Sequence, residues 1–154
     1  MSRSGPISLF TFGSLTLPEV MKAVTGRIFP SQPAWVPGYR AMLLRGECFP
    51  GLADVDEGRA HGVVYHQVDS ESLELLDRFE GDYYRRVRCF IMVSKDQAVQ
   101  GWVYLMQRQY EELLTETPWD VETFRKSHFA QFIMMCQEFR DGSRESAANG
   151  PGNE

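Results

Sequence analysis

Leu75-Leu76-Asp77-Arg78-Phe79-Glu80-Gly81-Asp82-Tyr83-Tyr84-Arg85-Arg86 reads as the end of a short amphipathic helix and the start of a strand. On a helical wheel, Leu73, Leu75, Leu76 and Phe79 make one apolar arc. Glu71, Glu74, Asp77 and Arg78 lie on the other side. Glu80 comes four residues after Leu76 and seven after Leu73, so it falls inside the apolar arc. A carboxylate on an inward face is costly to keep charged. Gly81 follows as a helix stop, which puts Glu80 at the negative end of the helix dipole. Both effects favour the protonated acid and raise its pKa towards neutrality, as a proton shuttle requires. The plain alternative is an acid paired with Arg85 or Arg86. Tyr84 and Arg86 are two apart and share one face of the next strand. They leave the helix end just past Glu80, so their side chains can reach the same pocket wall.

Outward from this stretch, 154 residues suggest one domain with a real core. Hydrophobic residues at 43% and aromatics at 12% fit a globular protein. A net charge of −5 argues against a dedicated nucleic-acid binder, which needs a basic surface. No apolar run approaches the ~20 residues of a membrane span, and the N-terminus lacks the apolar core of a signal peptide. Cys48, Cys89 and Cys136 are odd in number and widely spaced, which fits a reducing cytoplasm.

Along the chain, Ile7 to Phe12 reads as a first, buried strand ending at Gly13. Gly13-Ser14-Leu15-Thr16-Leu17 is a turn, and Pro18 with Glu19 starts a helix that stops at Gly26. Such a strand–turn–helix can converge backbone N–H groups on an anion; an ordinary turn is the alternative. Residues 30–37 read as a Pro-rich connector and Pro37-Gly38 as a turn. Tyr39 to Arg45 is a strand, Gly46 to Gly58 is irregular, and Arg59 to Val68 is a strand. Asp69 or Ser70 caps the helix that ends near Glu80. Tyr84 to Val93 and Ala98 to Met106 form an antiparallel hairpin around Lys95-Asp96-Gln97. Asp120 caps a helix with Phe124, Phe129, Phe132, Ile133 and Cys136 along one side, and Met134 and Met135 read as core or edge residues. The domain is expected over 1–141, with a disordered tail over 142–154.

His61 and His66 are five apart, on opposite faces of a strand, so no metal site is assigned. There is no nucleophile–His–Asp pattern, phosphate loop or dinucleotide fingerprint. What is left is one inward carboxylate, a glycine turn and a Tyr/Arg pair. These suit acid/base chemistry on a small polar substrate.

Phe12-Gly13-Ser14-Leu15, Pro18-Glu19-Val20, Pro37-Gly38-Tyr39-Arg40, Gly62-Val63-Val64-Tyr65, Leu76-Asp77-Arg78-Phe79-Glu80-Gly81 and Tyr84-Arg85-Arg86 occur in that order and spacing. Together with Trp119-Asp120, Phe124-Arg125 and His128, this set resembles the gamma-glutamylcyclotransferase-like family. The likeness is to its short branch, which includes plant avirulence-induced proteins, and covers roughly residues 7–138. The resemblance implies a compact α+β fold with a small curved sheet or barrel and flanking helices. It implies a cytoplasmic, cofactor-independent transferase that cyclises a gamma-glutamyl amine or amino acid to 5-oxoproline. The one catalytic glutamate maps to Glu80. Phe12, Gly13, Ser14 and Leu15 would bind the glutamyl moiety, joined by Tyr84 and Arg86. The family often has tyrosine at the position of Phe12, so a hydroxyl is absent here. No metal, nucleic acid or membrane partner is implied. A fold that keeps the pocket as a binding or interaction protein without turnover is the alternative. The loop 46–58 and Trp35, Phe49, Tyr83 and Tyr110 are candidates for the leaving-group side, with plain packing as the equal alternative.

Overall fold

A computed structural model describes residues 5–148. Strands β1 (Ile7–Thr11), β2 (Ser31–Leu44), β3 (Pro50–Val68), β4 (Tyr84–Ser94) and β5 (Gln97–Met106) run in the order β3-β1-β5-β4-β2. β2 also pairs with β3, which closes the sheet into a five-stranded barrel. A short strand, β6 (Leu114–Pro118), hangs from β2. Only the β1–β5 pair is parallel; the rest are antiparallel. Helices α1 (Pro18–Thr25), α2 (Ser70–Glu80), α3 (Val121–Ser127) and α4 (Phe129–Ala148) cover one side, where α1 packs on both α2 and α4. This is the α+β barrel with flanking helices that the resemblance implied.

The strands alternate between two apolar layers, as a period of two requires. Phe10, Val64, Ile91 and Val103 point into the barrel. Leu9, Tyr65, Tyr104 and Met106 point out, under the helices, where they meet Val20, Val24, Leu76, Phe124 and Phe132. Each such large side chain, fully buried, contributes about 1.5–3 kcal/mol. β1 lies close against its neighbours: a Cβ at Gly62 would overlap the Thr11 carbonyl, so only glycine fits there.

The caps match the local sequence. Asp69 accepts a hydrogen bond from the Ser72 amide at 3.1 Å and starts α2, and Asp120 accepts from the Thr123 amide at 2.9 Å and starts α3. Gly26 and Gly81, at φ +79° and +73°, end α1 and α2. The helix expected after Asp120 breaks at His128, giving α3 and α4 in place of one element.

Several expectations are corrected. Residues 30–37 are not a connector: from Ser31 they belong to β2, paired with β3 throughout. Over this stretch the opposite edge of β2 meets β4 only at Trp35–Met92, so a proline nitrogen can face that sparse edge without losing a ladder bond. Pro37-Gly38 is a bulge inside the strand, with Gly38 at φ +86°. Residues 50–58 are strand as well, except that β3 advances five residues (Asp54 to Arg59) while β2 advances two (Pro37 to Tyr39). The acidic segment is this wide bulge, and it bends the long strand so that the barrel closes. Finally, α4 continues to Ala148, past the expected domain end at 141. The rest of the expected tail, 149–154, lies outside the described residues. No helix among the described residues is long and apolar enough to cross a membrane.

Candidate functional site

A pocket opens where the end of β1, the start of β3, the end of α2, the β4–β5 hairpin and α4 meet. It encloses about 100 Å³. A cavity of ~150 Å³ takes benzene, so only a small moiety is enclosed here.

Glu80 is the last residue of α2 and lines this pocket. Phe79, beside it, anchors the helix end. Its ring meets Phe132 edge-on at 6.0 Å and Phe139 at 5.4 Å. Among the described residues, Glu80 has no hydrogen bond and no ion pair. Burial raises its pKa from the ordinary 4.5 to about 8, and the Asp77 carboxylate one helical turn back pushes the same way. The pKa of this pocket-lining acid is therefore held close to neutrality. The arginine pairing considered for it does not occur.

The expected arginine serves another acid. Arg86 donates from Nε to Asp77 Oδ1 at 2.8 Å and from a terminal nitrogen to Oδ2 at 3.1 Å. Its guanidinium also lies 4.6 Å from the Trp102 ring centre. It does not line the pocket. Tyr84 and Arg86 share the outer face of β4, as expected, but the longer side chain reaches along α2 and is held by Asp77. Tyr104, cross-strand from Arg86, donates its hydroxyl to Asp77 Oδ1 at 2.6 Å and stands in the pocket wall. Tyr84 also lines the pocket, and its hydroxyl is used: it donates to the Pro50 carbonyl at 2.7 Å.

The glycine turn lines the same cavity as Glu80. Phe12, Gly13, Ser14 and Leu15 all line it. Gly13 is required for packing: a Cβ there would lie 2.8 Å from Pro50 Cδ. The turn is pinned from both ends. Thr16 donates its hydroxyl to the Gly13 carbonyl at 2.6 Å, and Tyr65, beneath, donates to the Leu15 carbonyl at 2.7 Å. Ser14–Thr16 is a single 3-10 turn, so the N–H groups of Ser14 and Leu15 have no acceptor within it. The Ser14 hydroxyl has no hydrogen-bond partner among the described residues. Backbone donors and an unpaired acid thus line one cavity.

Tyr104, Phe132 and Met135 in the lining were not foreseen from the sequence, whereas Pro50 belongs to the loop 46–58 named as a candidate. Phe49, also a candidate, is there. Trp35, Tyr83 and Tyr110 are not; Tyr83 stacks behind Phe49, with ring centres 6.2 Å apart. His66 is hydrogen-bonded to Ser8 and Gln32, both at 2.9 Å. No group of three or more His, Cys, Asp or Glu residues placed to hold a metal exists among the described residues.

With this geometry in view, the comparisons agree with one another. The family model described as "Gamma-glutamyl cyclotransferase, AIG2-like" matches residues 9–121. The chain is 26% identical over 136 residues to AIG2-like protein D of Arabidopsis thaliana, covering 87% of this chain and 89% of that protein. It is 29% identical over 141 residues to Protein AIG2 C of the same plant, covering 86% and 82%. Among solved structures, an Arabidopsis thaliana protein determined in solution superposes with a TM-score of 0.65 at 24% identity, covering 92% of this chain and 95% of its own. A structure titled "Gamma-glutamyl cyclotransferase" superposes at 0.60 with 14% identity, covering 85% and 86%. At these identities the structural likenesses show the fold.

Proposed function

The chain belongs to the gamma-glutamyl cyclotransferase, AIG2-like family, and from that premise we propose that it cyclises a gamma-glutamyl compound to 5-oxoproline, with Glu80 as general base and then acid. The observation that carries this reading is an unpaired carboxyl, held near pKa 8, in the same small pocket as the Gly13–Leu15 turn.

The substrate's alpha-nitrogen is an ammonium and cannot attack until it loses a proton. Glu80 takes that proton. The amine then forms a bond to the gamma-carbonyl carbon of the same molecule, so the site has only to hold the glutamyl chain in its folded shape. Oxygen charge develops on the carbonyl, and the N–H groups of Ser14 and Leu15 are the donors that would receive it. Glu80 returns a proton to the departing nitrogen as the amide C–N bond breaks. The attacking ammonium gives up two protons in all, and the leaving nitrogen, departing as an ammonium, gains two. No water, oxidant or second substrate is consumed. A group that must accept and then donate works best with a pKa near the working pH, which burial supplies here.

The cavity wall suits the glutamyl part. It offers backbone donors and the Ser14 hydroxyl to a carboxylate or an oxyanion, and Tyr84 and Tyr104 frame the other side. Arg86 is left out of the substrate contacts; it acts on the site through Asp77.

The test is a panel of gamma-glutamyl amines, gamma-glutamyl amino acids and glutathione, read by 5-oxoproline and free amine together. Equal molar release of both from at least one member is the expected result. Binding without release across the panel would make the protein a metabolite-binding member of the family.

A further inference from the structure

A second cavity lies on the outer face of the barrel, between strands β2 and β3 and the segment 118–121 that leads from β6 into α3. It shares Phe12 with the pocket around Glu80 and no other residue. It is an open groove of about 450 Å³. A cavity of ~150 Å³ takes benzene, so the groove has room for more than a bare anion. Strand register sets its chemistry. Trp35 lies opposite His61 and Pro37 opposite Arg59, so Arg59 and His61, two apart on β3, share one face. Ala60, between them, is buried inside the barrel, which turns both basic side chains outward. Arg40, past the bulge at Gly38 in β2, lines the same groove. The Arg59 guanidinium lies over Trp35, 4.1 Å from the ring centre, which holds its plane without using its N–H groups.

Among the described residues, the side chains of Arg40 and His61 have no hydrogen bond or ion pair, and Arg59 has only that ring. One carboxylate, Asp120, lines the groove, and its Oδ2 already accepts from the Thr123 amide at 2.9 Å and the Thr123 hydroxyl at 2.8 Å. Asp54, Asp56 and Glu57 precede Arg59 in the bulge but are not in the lining. A chain of net charge −5 thus keeps three unpaired basic side chains on one groove. Phe12, Val63, Trp119 and Val121 give it an apolar floor. Trp119 is pinned there: its indole donates to the Cys48 carbonyl at 2.9 Å and its amide to the Ala41 carbonyl at 3.0 Å.

We propose that this groove is a second binding site, for a small soluble phosphomonoester with a flat apolar body. Such a phosphate carries a charge of about −2 near neutral pH and three acceptor oxygens. It can satisfy two guanidinium forks, whereas a carboxylate has only two oxygens to offer. The apolar body covers the floor beside the Trp119 ring. Inorganic phosphate would leave that floor in water, and an acidic peptide brings single charges on flexible stems. The site does not depend on the cyclotransferase reading.

Isothermal titration of the full chain, at about 0.15 M salt to screen loose surface attraction, compares phenyl phosphate, inorganic phosphate, phenol and a tetraglutamate peptide. Phenyl phosphate should saturate one site and bind at least ~10-fold more tightly than each of the other three. Arg40→Gln and Arg59→Gln replace exposed side chains, so both variants fold, and thermal melting checks this. Each should weaken phenyl phosphate by ~10-fold or more, the loss expected when a charge-assisted hydrogen bond is removed. Glu80→Gln should leave the affinity unchanged. The proposal is overturned by an absence of saturable binding, or by an affinity that either arginine variant leaves unmoved. Inorganic phosphate or phenol binding as tightly as phenyl phosphate also overturns it, because one half of the ligand would then be idle. Tighter binding of the peptide would make the groove a protein-docking surface instead. An affinity altered by Glu80→Gln would put the ligand in the other pocket, and the second site would be lost.

Discussion

Raising the pH from about 5 to about 9 should weaken this fold through Glu80. Its pKa is about 8 in the folded protein and 4.5 when freely solvated. Below the lower value both states hold the proton, and pH has no effect through this group. Between the two values the unfolded chain has released the proton while the folded chain retains it. The folded state then binds more protons, so stability falls as pH rises, and the loss is complete once pH passes the folded value. The separation sets an upper limit of about 5 kcal/mol. Glu80 is only partly buried, and solvent screening of its ionised form brings the effect to roughly 2–3 kcal/mol. That is a large part of the 5–15 kcal/mol typical of a domain. Urea unfolding of the native protein and Glu80→Gln, stepped through this range, isolates the effect, because other titrating groups cancel in the difference. The difference should fall by about 2 kcal/mol or more in favour of the amide. Parallel curves would show that Glu80 titrates as an ordinary surface acid, and the argument from burial would be refuted.

Three further outcomes follow from the site. Gly13→Ala drives a methyl group into the Pro50 ring, so the turn must move. Calorimetry should record a stability loss of about 1–3 kcal/mol, and kcat/KM should drop by ~10²-fold as the amides leave their places. Arg86→Ala should lower stability by about 1–3 kcal/mol because Asp77 loses two charge-assisted hydrogen bonds. Substrate KM should change less than kcat, since Arg86 is not part of the pocket lining. Asp77→Asn removes the acid that helps raise the Glu80 pKa, so the Glu80 carboxyl resonance should titrate lower, by ~1 pH unit. An unchanged midpoint would assign the whole shift to burial.

The site was legible where its chemistry is local. Glu80 could be found because one helical period puts it among Leu73, Leu76 and Phe79, and Gly81 ends the helix there. The Gly13 turn could be found because Pro18 and Glu19 announce a helix just after a strand. Long-range placement was harder. The expected turn is Lys95-Asp96-Gln97, whereas the loop is Lys95-Asp96 alone; carried straight down the hairpin from Ser94 opposite Gln97, the pairing would set Arg86 opposite Leu105. A shift between Met92 and Ser94 moves the pairing by one residue and puts Tyr104 there instead. A one-residue slip exchanges the two faces of a strand, so Tyr104 could not be assigned to the outer face with Asp77. The first half of β2 was hidden by its prolines and the first half of β3 by its acidic bulge, because local composition outweighs pairing in a linear reading. Met135 looked like an ordinary core or edge residue. Only the packing of α4 against the end of α2 brings it into the pocket lining.

The central claim is that Glu80 moves the protons of an intramolecular cyclisation. Its most direct test compares 5-oxoproline release by the native chain and by Glu80→Gln, on the substrate that the panel finds best. The amide keeps the size of the side chain and removes the base. The account predicts that the variant melts cooperatively, still binds the substrate, and loses turnover by at least ~10²-fold. A folded Glu80→Gln protein with native turnover would contradict it.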